Sequence, residues 1–437
     1  MTTSSPTAAS GTKVSFIAKW WSWLGAKPGR SALLVIPFAP LVFLGYGTDI
    51  DVTNVRSAAD TIRHGSYQYS RPPGALPHEF LTAVLDRVGG SVLVDLGSLA
   101  VAAVILVLVS RLLRGAGSKV SLAAAAAIAA NPFFIIAATS LLDQLWALAF
   151  FLGGLDTARS ERSHRSVIAG ALFGLAIGTR VASAVLVAAA LLVMPRRSAL
   201  VSGVTTAVIG GMCFIPAWLS AGRSSTFLEN QFAFNGWAIT VGRWVAKEAL
   251  FIGLPACVVL IVGLPILTSG VLRWRDAPLA RFAVLGAVGT EIIFLRFPWK
   301  LSHLLPTLVS VVIVLALSPK VTSRFLLVFA ATQLLWGFVA IRTVVPDNPD
   351  AAHSGRWSPA VVMGPLLNDI RCRSDDTRHL EASGALDDSD VQQTLTLWAC
   401  TNSWWGGGAR DVVVRSSAPS ASPNDAVGPG LAVRGTR

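Results

Sequence analysis

Gly47-Thr48-Asp49-Ile50-Asp51 closes the first apolar run of the chain, and Ser70-Arg71-Pro72-Pro73-Gly74 follows after a short amphipathic stretch. The pairing puts two carboxylates at the exit of an apolar segment and then a cation on a stiff turn. Each proline fixes its own φ and restricts the residue before it, so Arg71 has little conformational freedom. Between the two stretches Val52, Val55, Ala59 and Ile62 share one helical face, and Thr53, Arg56, Asp60 and Arg63 share the other. This predicts an amphipathic helix lying along a membrane surface, with Gly65 at its C-cap.

The apolar segment is one of many. Of 437 residues, 53% are hydrophobic and 14% charged, and the mean hydropathy is +0.60. A water-soluble chain has no way to bury so much apolar surface. The reading is an all-α integral membrane protein with about eleven transmembrane helices, since apolar runs near the length needed to cross about 30 Å of hydrocarbon recur throughout. They centre near Val35, Val101, Ala126, Ala149, Leu172, Ala188, Val208, Val258, Val288, Val311 and Phe329.

Orientation follows from the basic residues, which short cytoplasmic loops retain. Lys13, Lys19, Lys27 and Arg30 precede the first run, and every second connection is then basic: Arg111, Arg114 and Lys119; Arg159, Arg162 and Arg165; Arg196 and Arg197; Arg273, Arg275 and Arg281; Lys320 and Arg324. That parity predicts a cytoplasmic N-terminus, an outer loop from Tyr46 to Gly90, and an outer C-terminal tail. It also accounts for most of the +12 net charge, and no basic soluble domain suggests nucleic acid. The expected divisions are a cytoplasmic tail at 1–30, a polytopic membrane domain at 31–345, a small extracytoplasmic appendage at 346–405 and a flexible tail at 406–437. The first apolar run has no small-x-small cleavage site after it and reads as a retained signal anchor.

Of four cysteines, Cys213 and Cys257 fall in apolar runs and read as small hydrophobes. Cys372 and Cys400 fall in the tail, where an oxidising compartment makes a disulfide the natural reading. The remaining outer connections carry the other ionisable candidates: Asp143 after Ser140-Leu141-Leu142, Arg180 after Gly178-Thr179, and Arg296, Lys300 and His303 late in the chain. Charged groups this close to hydrocarbon must face one another or a polar cavity. Plainer roles compete with chemical ones. Asp49 or Asp51 can be an N-cap, Ser140 can cap the helix that follows it, and Arg296 and Lys300 can snorkel to headgroups.

The order of these features resembles the first half of membrane-embedded glycosyltransferases of the GT-C class, to which protein O-mannosyltransferases and aminoarabinose transferases belong. The features are an acid after the first span, a surface helix, Gly65-x-Tyr67, a basic-Pro-Pro step, and the run from Asn131-Pro132 through Asp143 to Ala169–Arg180. The resemblance implies a GT-C-like fold and a polyprenyl-phosphate sugar donor used on the outer face of the cytoplasmic (inner) membrane. It implies that Asp49, or Asp51 in place of the Asp-Glu pair of several members, is the general base. Asp143 would arrange the acceptor or a metal. Arg71 would contact the donor phosphate, with Lys300, His303 and Arg180 beside it. No cofactor is called for, and a divalent metal is left open. The acceptor would be a glycan, lipid or protein, and the surrounding partner is membrane lipid.

The chemistry suits these residue types. An acceptor hydroxyl attacking a sugar needs a carboxylate to take its proton, and a leaving phosphate needs a cation, for which Arg supplies a two-pronged donor. No Gly-rich phosphate loop suggests a nucleotide sugar. The competing reading is a multi-span transporter or flippase, which would be expected to carry its ionisable residues at midmembrane in broken helices and to show a repeat.

Overall fold

The structure, a computed structural model, describes residues 16–159, 163–223, 237–296, 300–344 and 358–383. After α1 (Phe16–Gly25) a 3₁₀ segment, Pro28–Leu44, carries Pro37 and Pro40 inside it. The helices α2 (Ile50–Arg63), α3 (Leu76–Leu112), α4 (Ser118–Ala129), α5 (Pro132–Ala138), α6 (Gln144–Ala158), α7 (Ser163–Thr179), α8 (Ser183–Val193) and α9 (Arg196–Ser220) follow. Then come α10 (Trp237–Ile252), α11 (Leu254–Val262), α12 (Leu264–Leu272), α13 (Pro278–Arg296), α14 (Leu305–Leu317) and α15 (Ser323–Phe338). The fold is a helical membrane fold. Each of the eleven predicted centres lies in one of these helical segments.

The segments are unequal, and this changes the picture of eleven similar spans. Among the described residues, only α3, α9 and α13 are long and apolar enough to cross a membrane singly. Two further candidates are bent pairs, α4 with α5 at 75° and the Thr240–Ile252 part of α10 with α11 at 92°. Proline is the physical cause. Pro132 has no N–H for Ile128 and the helix breaks at Asn131, while Pro255 has none for Phe251 and the chain turns at Gly253. Carbonyls freed by such breaks need new donors away from water. Asn131 caps α5 by accepting from the N–H groups of Phe133 and Phe134 at 3.0 and 3.2 Å, and its amide donates to Phe251 O at 3.1 Å. Gln333 on α15 donates to Ala127 O at 3.0 Å and accepts from Asn131 at 2.8 Å. One buried Asn–Gln pair therefore repairs both breaks.

Close packing fixes α7 on α9. Gly170, Gly174 and Gly178 form a stripe at every fourth residue of α7, and a Cβ at Gly174 would lie 2.7 Å from Ile209 Cβ. Small residues let the backbones approach, and hydroxyls cross-link them. Ser202 Oγ donates to Ser166 O at 2.8 Å and Thr206 Oγ1 to Gly170 O at 3.1 Å. Phe151 of α6 stacks on Phe173 of α7 and on Phe282 of α13, with ring centroids 5.6 and 5.4 Å away. These contacts hold α6, α7 and α13 together.

The first connection is more structured than a loop. Asp49 is the N-cap of α2, and its side chain accepts from Asp51 N–H at 2.8 Å. Gly65 (φ +78°) ends the helix in a Schellman arrangement, with Ser66 N–H bonded to Thr61 O and Gly65 N–H to Ile62 O. The apolar face of α2 is covered by protein, not spread on lipid as its amphipathicity predicts: Val52 and Val55 pack with Val94 and Leu85 of α3 and with Leu141. The chain is then helical from Leu76, well before Gly90, with non-helical dihedrals at Gly89 and Gly90 marking a kink within α3.

After α15 the strand β1 (Val339–Val344) pairs antiparallel with β2 (Ser358–Met363), Val339 opposite Met363 and Val344 opposite Ser358. This strand precedes the expected boundary at 345. A last helix, α16 (Pro365–Ser383), packs against α5, α15 and the Pro28–Leu44 segment. Cys372 is buried on it, while Cys400 and the tail at 406–437 lie outside the described residues.

Candidate functional site

Six charged side chains from distant parts of the sequence meet at one end of the helices. Lys300, just before a 3₁₀ turn at Leu301–Leu304, places Nζ 2.5 Å from Asp49 Oδ1 and 2.6 Å from Asp51 Oδ2. Arg71 donates from one guanidinium nitrogen to Asp51 Oδ2 at 2.8 Å and from the other to Asp143 Oδ2. Arg180, following α7, donates to Asp143 Oδ1 at 2.6 Å. The result is a continuous alternation, Asp49, Lys300, Asp51, Arg71, Asp143, Arg180, in which three anions are matched by three cations.

Local backbone rules explain why each acid points inward. Asp49 sits at the N-cap of α2 and Asp51 in its first turn, where a carboxylate is favoured by unpaired N–H groups. Asp143 occupies the N-cap position of α6, yet its side chain makes no cap bond and serves Arg71 and Arg180 instead. Ser140 does not cap that helix, because its hydroxyl donates back to Ile136 O at 2.6 Å. The two acid-bearing connections lie side by side. Leu141 N–H donates to Tyr46 O at 2.7 Å, and Gly47 (φ +111°) rests on Ser140, where a Cβ would lie 2.6 Å from Ser140 Cβ.

Arg71 is held by its turn, in which the Pro72–Pro73 peptide is cis and Gly74 N–H bonds to Arg71 O at 2.5 Å. Glu79 anchors the approach to that turn: wholly buried, it accepts from Tyr67 Oη at 2.7 Å and from Ser70 N–H at 2.8 Å. Glu79 was not among the residues singled out from sequence. The available signal was Pro77 followed by an acid in the first turn of a helix, a position that favours both. His78 was also missed; it is buried edge-on to Trp146, at a 6.0 Å centroid distance.

Burial alone would raise the pKa of Asp51, but Arg71 and Lys300 outweigh it and hold the carboxyl well below the usual carboxylate range. Asp143 is lowered as well, its burial overcome by Arg180 and Arg71. Burial would lower Lys300 and Arg71, yet the facing carboxylates raise both. Asp51 and Asp143 are therefore anions, and Lys300 and Arg71 cations, at neutral pH. The ensemble offers carboxylate acceptors and a cation pair in one place, which suits proton removal from a hydroxyl and contact with a phosphate.

His303 is not part of the charge chain. With Gln144, Ser183, Ser302 and Thr290 it lines a cavity of about 50 Å³, which Arg180 also borders. Arg296 ends α13 and does not enter the chain of ion pairs described above. Among the described residues no group of three or more His, Cys, Asp or Glu side chains is arranged to hold a metal. The three acids of the site are taken up by Lys and Arg, a donor set ill-suited to a divalent cation.

No family model matches the chain, and no curated protein matches it. Among solved structures, ArnT from Cupriavidus metallidurans bound to undecaprenyl phosphate aligns with 87% of this chain and 75% of that one, at 13% identity and a TM-score of 0.55. The apo state of ArnT from the same organism aligns with 70% of this chain at 18% identity and a TM-score of 0.52, and the chain spans 61% of the length of that structure. A looser likeness, at a TM-score of 0.34 and 16% identity over 52% of this chain and 36% of that one, is to the Saccharomyces cerevisiae protein O-mannosyltransferase Pmt1-Pmt2 complex bound to the sugar donor. The fold is GT-C-like.

Proposed function

We propose that this protein is a glycosyltransferase that moves a sugar from a polyprenyl-phosphate donor to a cell-envelope acceptor at the outer face of the cytoplasmic membrane. The observation that carries the reading is the alternating chain from Asp49 to Arg180, because it joins a candidate base to two candidate phosphate ligands within one hydrogen-bonded group. The shared fold with an ArnT structure bound to undecaprenyl phosphate supports the donor class.

In this reading Asp49 accepts the proton of the acceptor hydroxyl as its oxygen attacks the anomeric carbon. The bond between that carbon and the phosphate oxygen breaks, and the electron pair leaves with the polyprenyl phosphate. Arg71 and Lys300 meet the charge that develops there. Asp51 lies between the two cations and keeps them neutralised until a phosphate competes for them. Asp143 holds Arg71 from the other side, with Arg180 as its second counter-ion. The positively charged connections elsewhere in the chain supply the outward orientation of this end.

The test compares polyprenyl-phosphate sugars and envelope glycans extracted from cells with and without the protein. Loss of the activity should leave a polyprenyl-phosphate sugar in excess and remove one glycan substitution. Pools unchanged in both, or movement of a solute across vesicles without any bond formed, would favour the transporter reading and overturn this one.

A further inference from the structure

The C-terminal helix α16 sends a buried ion pair to the two connections that carry the acids. Asp369 and Arg373 are one helical turn apart, 2.6 Å from oxygen to nitrogen, with side chains 3% and 1% exposed. Asp369 Oδ1 accepts from Thr48 Oγ1 at 2.8 Å, and Thr48 is the residue before Asp49. Arg373 donates to Thr139 O at 2.7 Å, to Thr139 Oγ1 at 3.3 Å and to Gly45 O at 3.4 Å. Thr139 ends α5 at the start of the connection that leads to Asp143. One carboxylate and one guanidinium thus bind both connections, at points close in sequence to Asp49 and Asp143.

Burying such a pair is costly unless its hydrogen-bonding capacity is used, and here it is used on backbone and hydroxyl groups of the two connections. Arg can do this where Lys cannot, because its planar fork reaches several acceptors at once. Gly47 against Ser140 and Leu141 against Tyr46 then set how closely the connections lie.

We infer that Asp369 and Arg373 are positioning residues, which set the placement of Asp49 relative to Asp143 through Thr48 and Thr139. The inference rests on the sugar-transfer reading for its chemistry. It makes α16 a working part of the site at the other end of the sequence. A misplacement of about 1 Å in a reacting group can cost up to about 10²-fold in rate.

The experiment uses the full-length protein, with undecaprenyl phosphate as the binding probe and sugar transfer as the rate readout. Thr48→Val removes the hydroxyl bond to Asp369 with little change in shape. It should lower kcat per folded molecule by about ten-fold or more, while undecaprenyl phosphate binding stays within about two-fold. Thr48→Ser restores the donor and should restore kcat. Arg373→Lys, which keeps the charge but loses the fork, should show the same split. Wild-type kcat in Thr48→Val, or no recovery in Thr48→Ser, would overturn the positioning role.

Hydrogen–deuterium exchange separates failure of this inference from failure of the transfer reading. Faster exchange in both 46–52 and 139–144 is expected for Thr48→Val and Arg373→Lys. If the wild-type protein transfers no sugar but these segments still loosen together, the sugar-transfer reading falls and the clasp stands. Unchanged exchange in both segments would overturn the clasp whatever the chemistry.

Discussion

Lys300 Nζ lies 2.5 Å from Asp49 Oδ1, across 251 residues of chain. The same oxygen accepts the N–H of Asp51 at 2.8 Å. Both bonds pull on Oδ1 and orient the carboxylate, so Oδ2 is the oxygen an acceptor hydroxyl would meet. Capping and catalysis are therefore compatible at this residue, with one oxygen for each.

This gives the first prediction. Asp49→Asn keeps a capping oxygen but loses the base, so transfer should fall by about 10²–10⁴-fold while the protein stays folded and binds undecaprenyl phosphate. Single-turnover rates on purified protein check it. Near-normal transfer by Asp49→Asn with loss in Asp51→Asn would move the base two residues along, and activity in both would reduce the acids to structural partners.

A second prediction follows from the place of Asp51 between Arg71 and Lys300. A donor phosphate must compete with this carboxylate for the two cations. Asp51→Asn should therefore tighten undecaprenyl phosphate binding by several-fold. Arg71→Ala should weaken both binding and turnover, since a phosphate contact acts in ground and transition states alike. Titration by native mass spectrometry distinguishes the two variants, and weaker binding in Asp51→Asn would count against the exchange.

Much of this arrangement was legible in the sequence, for physical reasons that differ from residue to residue. Asp49, Asp51, Asp143, Arg71, Arg180 and Lys300 stand next to apolar runs, where isolated charges are costly, so their convergence could be anticipated from chemistry alone. Gly65 announced the end of α2 because an αL position favours glycine. What remained hidden depended on long-range packing. The apolar face of α2 fits a membrane surface as well as it fits Val94 of α3, and periodicity does not distinguish them. Asp369 and Arg373 sit in a polar tail helix whose sequence carries no sign that the pair is buried against Thr48 and Thr139. The bends at Asn131 and Gly253 made the helices unequal, which a count of apolar runs does not register.

A third prediction concerns pH. Asp51 and Asp143 are held below the ordinary carboxylate value, so their contribution to stability is present above about pH 4, the unfolded value. It is lost as pH falls through their lower folded values. Lys300 is raised, so its contribution is present below about pH 10, the unfolded value, and lost as pH rises through the folded one. The difference in thermal midpoint between the wild type and Asp51→Asn should thus be level from about pH 5 to pH 9 and shrink on the acid side. A difference that grows as pH falls to 3 would contradict the assignment.

A fourth prediction is a Cys372–Cys400 disulfide that closes part of the C-terminal segment. Closing a loop of that length contributes about 3 kcal/mol to its stability. Mass mapping of non-reduced protein should recover the two cysteines in one linked peptide, and two free thiols would rule the bridge out.

The last prediction joins the site to the membrane. Basic residues mark every second connection, and the connections that carry Asp49, Asp143, Arg180 and Lys300 are the others. Within the structure Arg111 of α3 pairs with Asp156 of α6 at 2.7 Å, near the C-terminal ends of both helices and far from the N-terminal ends that face the site. The Arg111–Asp156 pair and the candidate site thus lie at opposite ends of the same two helices, as an orientation with the site outward would require. A reporter active only outside the cytoplasm, fused after Val344 or within the connection at 64–70, should be active, and one fused at Gly115 should be silent. A cysteine at Ser66 should react with a membrane-impermeant reagent in intact cells, whereas one at Gly115 should react only after permeabilisation. The opposite pattern would place the Asp49–Lys300 pair on the cytoplasmic side, and a donor used on the outer face would then be out of its reach.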